Sequence, residues 1–317
     1  MKNILIIKLG ALGDFVHAFH AFEALRQHHA KDRLTLLTTP PFRAMAERSG
    51  WFDQVIALDR RPWWDVLALL RTRKALRGYD FVYDLQTSSR SARYFRLAGR
   101  PPWNGIAPGC SHPHDAPNRR QLHSVDRLKE QIRVAGVTDF PPPRHDWLLE
   151  ERGLAPDTPY ALLMPGGAGV GAVKRWPAEN YAALAAALME RGLRPVIIGG
   201  KAEESAAAAI LAACPEALDL TMKTSFFDIA TLAAGARLLV GNDTGPMHLA
   251  ACMGPPAIAL FSAAGVPAKH APRGPAGEWS TVIQEADLKN LPVAKVLETV
   301  ETLLAATSVS LNPIQAG

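Results

Sequence analysis

Short apolar runs alternate with longer stretches of helical spacing along most of the chain. Lys2–Ile7, Leu34–Thr38, Val55–Leu58 and Tyr79–Leu85 read as strands, too short and too continuous for helices. Between them, Phe15–Gln27 places Val16, Phe19, Ala21, Phe22 and Leu25 on one helical face, and Trp63–Leu76 and Leu122–Gly136 are helices of the same kind. Pro40-Pro41 opens a further helix through Arg48. Strands alternating with helices predict an open, mostly parallel α/β sheet.

After an extended stretch with Pro141-Pro142-Pro143, the alternation restarts. Tyr160–Met164, Arg194–Ile198, Leu218–Leu220, Ala236–Val240, Ala257–Phe261 and Thr281–Ile283 read as strands. Ala178–Arg191, the Ala-rich run to Ala213, Phe226–Gly235 and Val293–Ala305 read as helices. The predicted organisation is therefore two domains, 1–150 and 151–317, each a doubly wound sheet, with the last helix able to cross back onto the first domain. A chain of 317 residues accommodates two domains of ordinary size.

The polar residues are concentrated where strands end. Val240-Gly241-Asn242-Asp243-Thr244-Gly245-Pro246-Met247-His248 turns from a strand into a helix, the place where open α/β sheets hold ligands. Thr244 supplies a hydroxyl, Gly245 admits close approach to the backbone, and Pro246 suits the first turn of a helix. The competing reading is that Asn242 and Asp243 only cap that helix. Pro165–Gly171 is a glycine-rich loop followed by Lys174-Arg175-Trp176-Pro177, with no Gly-Lys-Ser/Thr ending. Its N–H groups and two cations can still cradle a diphosphate. Glu203 and Glu204 follow another strand end; either one binds ribose hydroxyls or both simply begin a helix. In the first half, Asp14 follows Gly10-Ala11-Leu12-Gly13. It would repel a diphosphate, so it reads as a general base or as a helix cap. Asp84–Arg90 is another polar strand-end loop, and Arg90, Arg93, Arg96 and Arg100 make a basic stripe beside it. Arg90 and Arg93 are the candidates for an anionic acceptor.

Charge sharpens this picture. The net charge of +5 is divided unevenly, +8 over residues 1–150 and −3 over 151–317, so the anionic partner belongs to the first half. Cys110, Cys214 and Cys252 are far apart, which argues against a disulfide framework or zinc site and for a reducing compartment. His112-Pro113-His114 lacks the further ligands a metal needs. No apolar run reaches the ~18 residues of a membrane span. The opening Met1–Ile7 reads as a buried strand rather than an export signal. Neither glycine loop has the G-x-G-x-x-G spacing of a dehydrogenase.

Lys8 with Gly13-Asp14, Pro165-Gly166-Gly167 ahead of Lys174-Arg175-Trp176-Pro177, and Gly241–His248 occur in that order along nearly the whole chain. Together they resemble the ADP-heptose-dependent heptosyltransferases of glycosyltransferase family 9; the D-T-G-x-x-H segment is the most specific part. The resemblance implies a GT-B fold, two Rossmann-like doubly wound domains facing a central cleft, with acceptor on the N-terminal side and nucleotide sugar on the C-terminal side. It implies Asp14 as the base, Lys174 near the donor phosphates, Glu203 on the ribose, and Asp243, Thr244, Gly245 and His248 on donor sugar and diphosphate. It further implies inversion at the anomeric carbon, no metal or other cofactor, an anionic lipopolysaccharide-core acceptor and no nucleic-acid partner. The expected setting is cytoplasmic, with peripheral contact at the inner membrane surface. The glycine loop departs from the family in lacking Thr or Ser donors. A nucleotide-sugar epimerase or a non-catalytic nucleotide-binding protein on the same fold are the alternatives.

Overall fold

A computed structural model of the chain describes residues 1–62, 64–151, 153–167 and 175–310. It divides into two compact units, Met1–Trp147 and Leu148–Gly317.

The first unit runs β1 (Asn3–Ile7), α1 (Leu12–His17), α2 (Phe19–His28), β2 (Arg33–Thr38), α3 (Arg43–Arg48), β3 (Gln54–Ala57), α4 (Val66–Ala75), β4 (Phe81–Asp84), α5 (Ser89–Leu97), β5 (Trp103–Gly105), β6 (His112–Pro113) and α6 (Ser124–Val134). Its strands form one parallel sheet in the order β3-β2-β1-β4-β5-β6. β1 explains why. Ile4, Leu5, Ile6 and Ile7 are all fully buried, so both faces of the strand are covered, as in sheets flanked by helices on two sides. Parallel neighbours need long crossovers, and helices supply them except between β5 and β6.

Local differences from the sequence reading have physical causes. The helix expected over Phe15–Gln27 begins earlier and is two helices, because the chain is already helical from Leu12 and breaks its regular pattern at Ala18. The helix expected from Trp63 starts only at Val66. Asp65 is its cap, with its carboxylate accepting from the Ala68 N–H at 2.9 Å. Arg100, counted into the basic stripe, lies beyond the end of α5 with φ of +59°.

The second unit runs β7 (Tyr160–Met164), α7 (Ala178–Glu190), β8 (Arg194–Ile197), α8 (Glu204–Ala213), β9 (Leu218–Asp219), α9 (Phe226–Gly235), β10 (Leu238–Asn242), α10 (Gly245–Ala251), β11 (Ala257–Ser262), α11 (Pro267–His270), β12 (Thr281–Glu285) and α12 (Val293–Ser310). The strand order is β12-β11-β10-β7-β8-β9, again all parallel. β7 and β10 are buried along their whole lengths. They approach closely because position 241 is glycine; a Cβ there would lie 2.7 Å from that of Met164. Trp176 and Tyr181 pack edge to face at 4.8 Å in the core of this unit, and Trp176 Nε1 donates to the Leu291 carbonyl at 2.9 Å. α12 packs on α7 and sends Val296 and Val300 into the same core.

Both sheets reverse their strand order once, between β1 and β4 and between β7 and β10. At such a point the flanking crossovers leave to opposite sides, and a crevice opens at the carboxyl ends of the strands.

Candidate active site

In the second unit that crevice is a cavity of about 610 Å³. Its floor comes from strand ends: Met164 of β7, Ile198 and Gly199 after β8, and Thr244, Gly245 and Pro246 after β10. Met222 and Ile229 add apolar wall, and Glu203 and Arg175 add charge. A few polar groups in a mostly apolar hollow is the usual make-up of a nucleotide-sized site. A neighbouring hollow of about 660 Å³ lies beyond Glu203 and Arg175, lined by Pro177, Glu179 and Lys289. It lacks the Thr244–Pro246 corner, so the strand-end cavity is the better ligand site.

Glu203 is held in place by two glycines. A Cβ at Gly199 would come within 2.6 Å of the Glu203 Cβ, and one at Gly166 within 3.3 Å of its carboxylate. One oxygen, Oε2, accepts from the Gly200 N–H at 2.8 Å; the other lies 3.8 Å from the Arg175 guanidinium. Arg175 also donates to the Gly167 carbonyl at 3.2 Å, which ties the carboxylate to the loop after β7. The sequence left ribose binding and helix start as alternatives; here a single carboxylate both closes its turn and faces the cavity. Glu204 is exposed and does not line it.

The Asn242–His248 corner divides its labour. Thr244 is the cap of α10, with its hydroxyl accepting from the Met247 N–H at 3.3 Å. Asn242 is therefore no cap. Fully buried, it donates from Nδ2 to the Pro165 carbonyl at 3.0 Å, while Oδ1 accepts from the Tyr181 hydroxyl at 3.1 Å and the Trp176 N–H at 3.4 Å. It brackets β10 to the loop after β7. Asp243 Oδ1, just ahead of α10, lies 3.4 Å from His248 Nε2 within it. Thr244 and Gly245 line the cavity; Asp243 and His248 sit at the same corner without lining it. Lys174, with the rest of 168–174, lies outside the described residues.

In the first unit, Asp14 is the third residue of α1, half-buried, and the cap position belongs to Ala11. The loop before it is braced from three strand ends. Leu9 N–H donates to Gln86 Oε1 at 2.7 Å and Gln86 Nε2 donates to the Gly10 carbonyl at 3.0 Å. Thr39 and Arg60 donate to the Leu9 carbonyl. Gly10 has φ of +99°, a conformation open to glycine. Two cations feel the Asp14 charge. Lys8, buried, donates to the Leu85 carbonyl at 3.1 Å; burial pushes its ammonium down to about 8, against the pull of Asp14. Arg127 is lowered by burial as well, and Asp14 again opposes the shift. Asp84, fully buried at the end of β4, is pushed up by burial to about 7 while Oδ1 accepts from the Gln86 and Thr87 N–H groups. Its burial was not legible in sequence, where Asp84 opened a polar strand-end loop. Arg90 donates to the Arg61 carbonyl at 3.0 Å, and Arg93 is exposed on α5.

Residues 69–285 match the profile of glycosyltransferase family 9 (heptosyltransferase). The chain belongs to this family. As a family 9 glycosyltransferase it is 29% identical, over 82% of its length and 78% of the relative's, to lipopolysaccharide heptosyltransferase 1 of Pseudomonas aeruginosa. Its fold matches E. coli ADP-heptose lps heptosyltransferase II with a TM-score of 0.77 at 23% identity, covering 97% of this chain and 100% of that one. It matches E. coli heptosyltransferase WaaC, solved with ADP, with a TM-score of 0.74 at 22% identity, covering 95% and 99%. The fold class is thus the GT-B class of two Rossmann-like units, and the family 9 protein is a glycosyltransferase. Among the described residues no cluster of His, Cys, Asp and Glu is arranged to hold a metal ion, and no helix is long and apolar enough to cross a membrane.

Proposed function

We propose that this family 9 glycosyltransferase moves a heptose from ADP-heptose to a hydroxyl of a lipopolysaccharide core, with inversion at the anomeric carbon. The observation that carries the donor half is the cavity at the β7/β10 reversal, where Glu203, Thr244 and Gly245 meet. Glu203 receives the ribose hydroxyls. Thr244, Gly245 and Lys174 hold the diphosphate, and Asp243 with His248 orients the sugar. The names of the relatives, one of them solved with ADP, support an adenine nucleotide.

In the transfer, the acceptor oxygen forms a bond to the sugar C1 from the face opposite the phosphate. The C1–O bond breaks and its electron pair leaves on ADP. The proton of the acceptor hydroxyl passes to the Asp14 carboxylate. Cations near the leaving diphosphate offset its growing charge. Arg90 and Arg93 belong to the acceptor side, in the unit that carries the positive charge. This work is placed at the cytoplasmic face of the inner membrane, in peripheral contact.

Calorimetric titration with ADP, UDP and GDP tests the reading. ADP is expected to bind best, and Glu203→Gln and Lys174→Ala each to weaken it about tenfold, the worth of one hydrogen bond to a charged group. Tighter binding of UDP or GDP would remove ADP-heptose as the donor, and unchanged affinity in both variants would remove this cavity as its site.

A further inference from the structure

Four of the twelve exposed large apolar side chains among the described residues fall within one short stretch: Trp64, Val66, Leu67 and Leu70, exposed by 83, 64, 69 and 54%. Their placement follows from how α4 sits on its sheet. Ala68, Leu69, Thr72, Ala75 and Leu76 recur at helical spacing and are turned inward, with Ala75 and Leu76 joining the core beside β1 and β4. Val66, Leu67 and Leu70 are left on the outer face. Burial inside the unit is not what selects them, and water disfavours them.

The other half of the same face is basic. Arg71, Arg73, Lys74 and Arg77 are exposed and follow the apolar group directly. Cations at a helix C-terminus suit the dipole, which explains Arg73 and Lys74 but not the leucines upstream. Asp65, the acid of the segment, has its carboxylate turned to the N-cap. The face is therefore an apolar patch led by a tryptophan and continued by four cations, within the unit of the chain that is strongly positive.

That combination selects the partner. A protein interface depletes charge at its centre, and a soluble small anion has no use for exposed leucine. A bilayer with anionic headgroups uses both. Tryptophan settles at the headgroup boundary, short apolar side chains enter the acyl region, and Arg and Lys stems extend to the phosphates. We propose that the outer face of α4, with Trp64 ahead of it, docks the enzyme on an anionic phospholipid bilayer, lying in the interface without crossing it. This extends the peripheral contact in the functional reading above. Its test involves no nucleotide and no sugar transfer, so either can fail without the other.

The experiment is sedimentation of the full chain with vesicles of phosphatidylethanolamine and phosphatidylglycerol, against vesicles of phosphatidylcholine alone. Binding is expected to the anionic vesicles and to weaken as salt shortens the range of the charges. Arg71→Ser with Arg73→Ser should weaken it about fivefold per cation. Leu67→Ser with Leu70→Ser should weaken it about tenfold or more. Both pairs are exposed, so folding is preserved, and circular dichroism checks it. Lys31→Ser with Lys295→Ser removes the same charge from other exposed positions and should bind as the parent does. Brominated lipid should quench a tryptophan component that Trp64→Phe removes. No binding to anionic vesicles, equal binding by the α4 variants, or self-association through this face that the leucine variants abolish would each overturn the proposal.

Discussion

Replacing Asn242 by Ala tests the bracket on which the donor cavity stands. The side chain is fully buried and makes two good hydrogen bonds, to the Pro165 carbonyl at 3.0 Å and from Tyr181 at 3.1 Å, and a long one from Trp176 at 3.4 Å. A buried bond contributes about 1 kcal/mol net, and an acceptor left buried and unpaired costs about 1–3 kcal/mol. Tyr181 keeps a partner, because its hydroxyl also reaches the Met164 carbonyl at 3.4 Å. The Pro165 carbonyl loses the amide that faced it. The total is about 3 kcal/mol, most of it from Pro165. Spread over a unit of this size, that lowers the midpoint of its thermal transition by about 6–12 °C. Urea unfolding followed by tryptophan fluorescence measures it, since Trp176 lies in the core of this unit. Gly166 and Gly167, next along from Pro165, line the cavity, so nucleotide affinity should fall with stability.

Asn242→Asp sharpens the test. It keeps an acceptor for Tyr181 but sets an oxygen against the Pro165 carbonyl and buries a charge. At pH 7 it should destabilise at least as much as Ala. On acidification the carboxyl takes a proton, can donate to Pro165 and should recover stability; a folded-state pKa raised by burial means stability present at low pH and lost as pH rises. A loss under about 1 kcal/mol in Asn242→Ala, or a neutral Asn242→Asp at pH 7, would refute the bracket.

Three other outcomes are expected. Asp14→Asn should lose transfer by about a hundredfold or more while ADP affinity, measured by calorimetry, stays unchanged; near-parent turnover removes Asp14 as base. Gly199→Ala should weaken ADP as Glu203→Gln does, because the new Cβ would lie 2.6 Å from that of Glu203 and force the carboxylate aside, and parent-like affinity would contradict the cradle. Asp84, raised from 3.8 to about 7 by burial, binds more protons folded than unfolded between those values, so stability should fall by about 4 kcal/mol as pH rises through that window. Asp84→Asn keeps the acceptor for the Gln86 and Thr87 N–H groups and should flatten that fall in pH-dependent urea unfolding.

Much of the fold was legible because strands such as β1 and β7 are buried on both faces and so read as unbroken apolar runs. Residues whose role comes from a distant partner were not legible. Asn242 read as part of the ligand corner or as a helix cap with Asp243, and only the approach of Pro165, far off in sequence, makes it a bracket. Asp84 read as the start of a polar strand-end loop, with nothing to show its burial, which comes from β5: a Cβ at Gly105 would lie 3.0 Å from its own. Glu203 read equally as a ribose-binding carboxylate or as a helix start, and the close approach of Gly166 and Gly199 to its side chain, hidden in sequence, is what turns it to the cavity. The exposed leucines of α4 were hidden by a spacing that looked like an ordinary buried face, since periodicity reports that a helix has an apolar side and not what covers it.

The two sheets share one strand order, so what distinguishes their crevices is the first turn after each reversal. Among the described residues, the turns after β7 and β10 bring Gly166, Gly167, Thr244 and Gly245 to the cavity, and the acid that faces it, Glu203, is tied down by Gly200 and Arg175. In the proposed reading this hollow receives the donor phosphates. After β1 the turn leads to Asp14 at half-burial, beside the buried cation Lys8 and near Arg127. A carboxylate there would repel a diphosphate, and the two cations beside it offset its charge. One strand order thus carries two unlike crevices, and the proposed reaction, which moves a sugar from a diphosphate to a hydroxyl, assigns the donor to one and the base to the other.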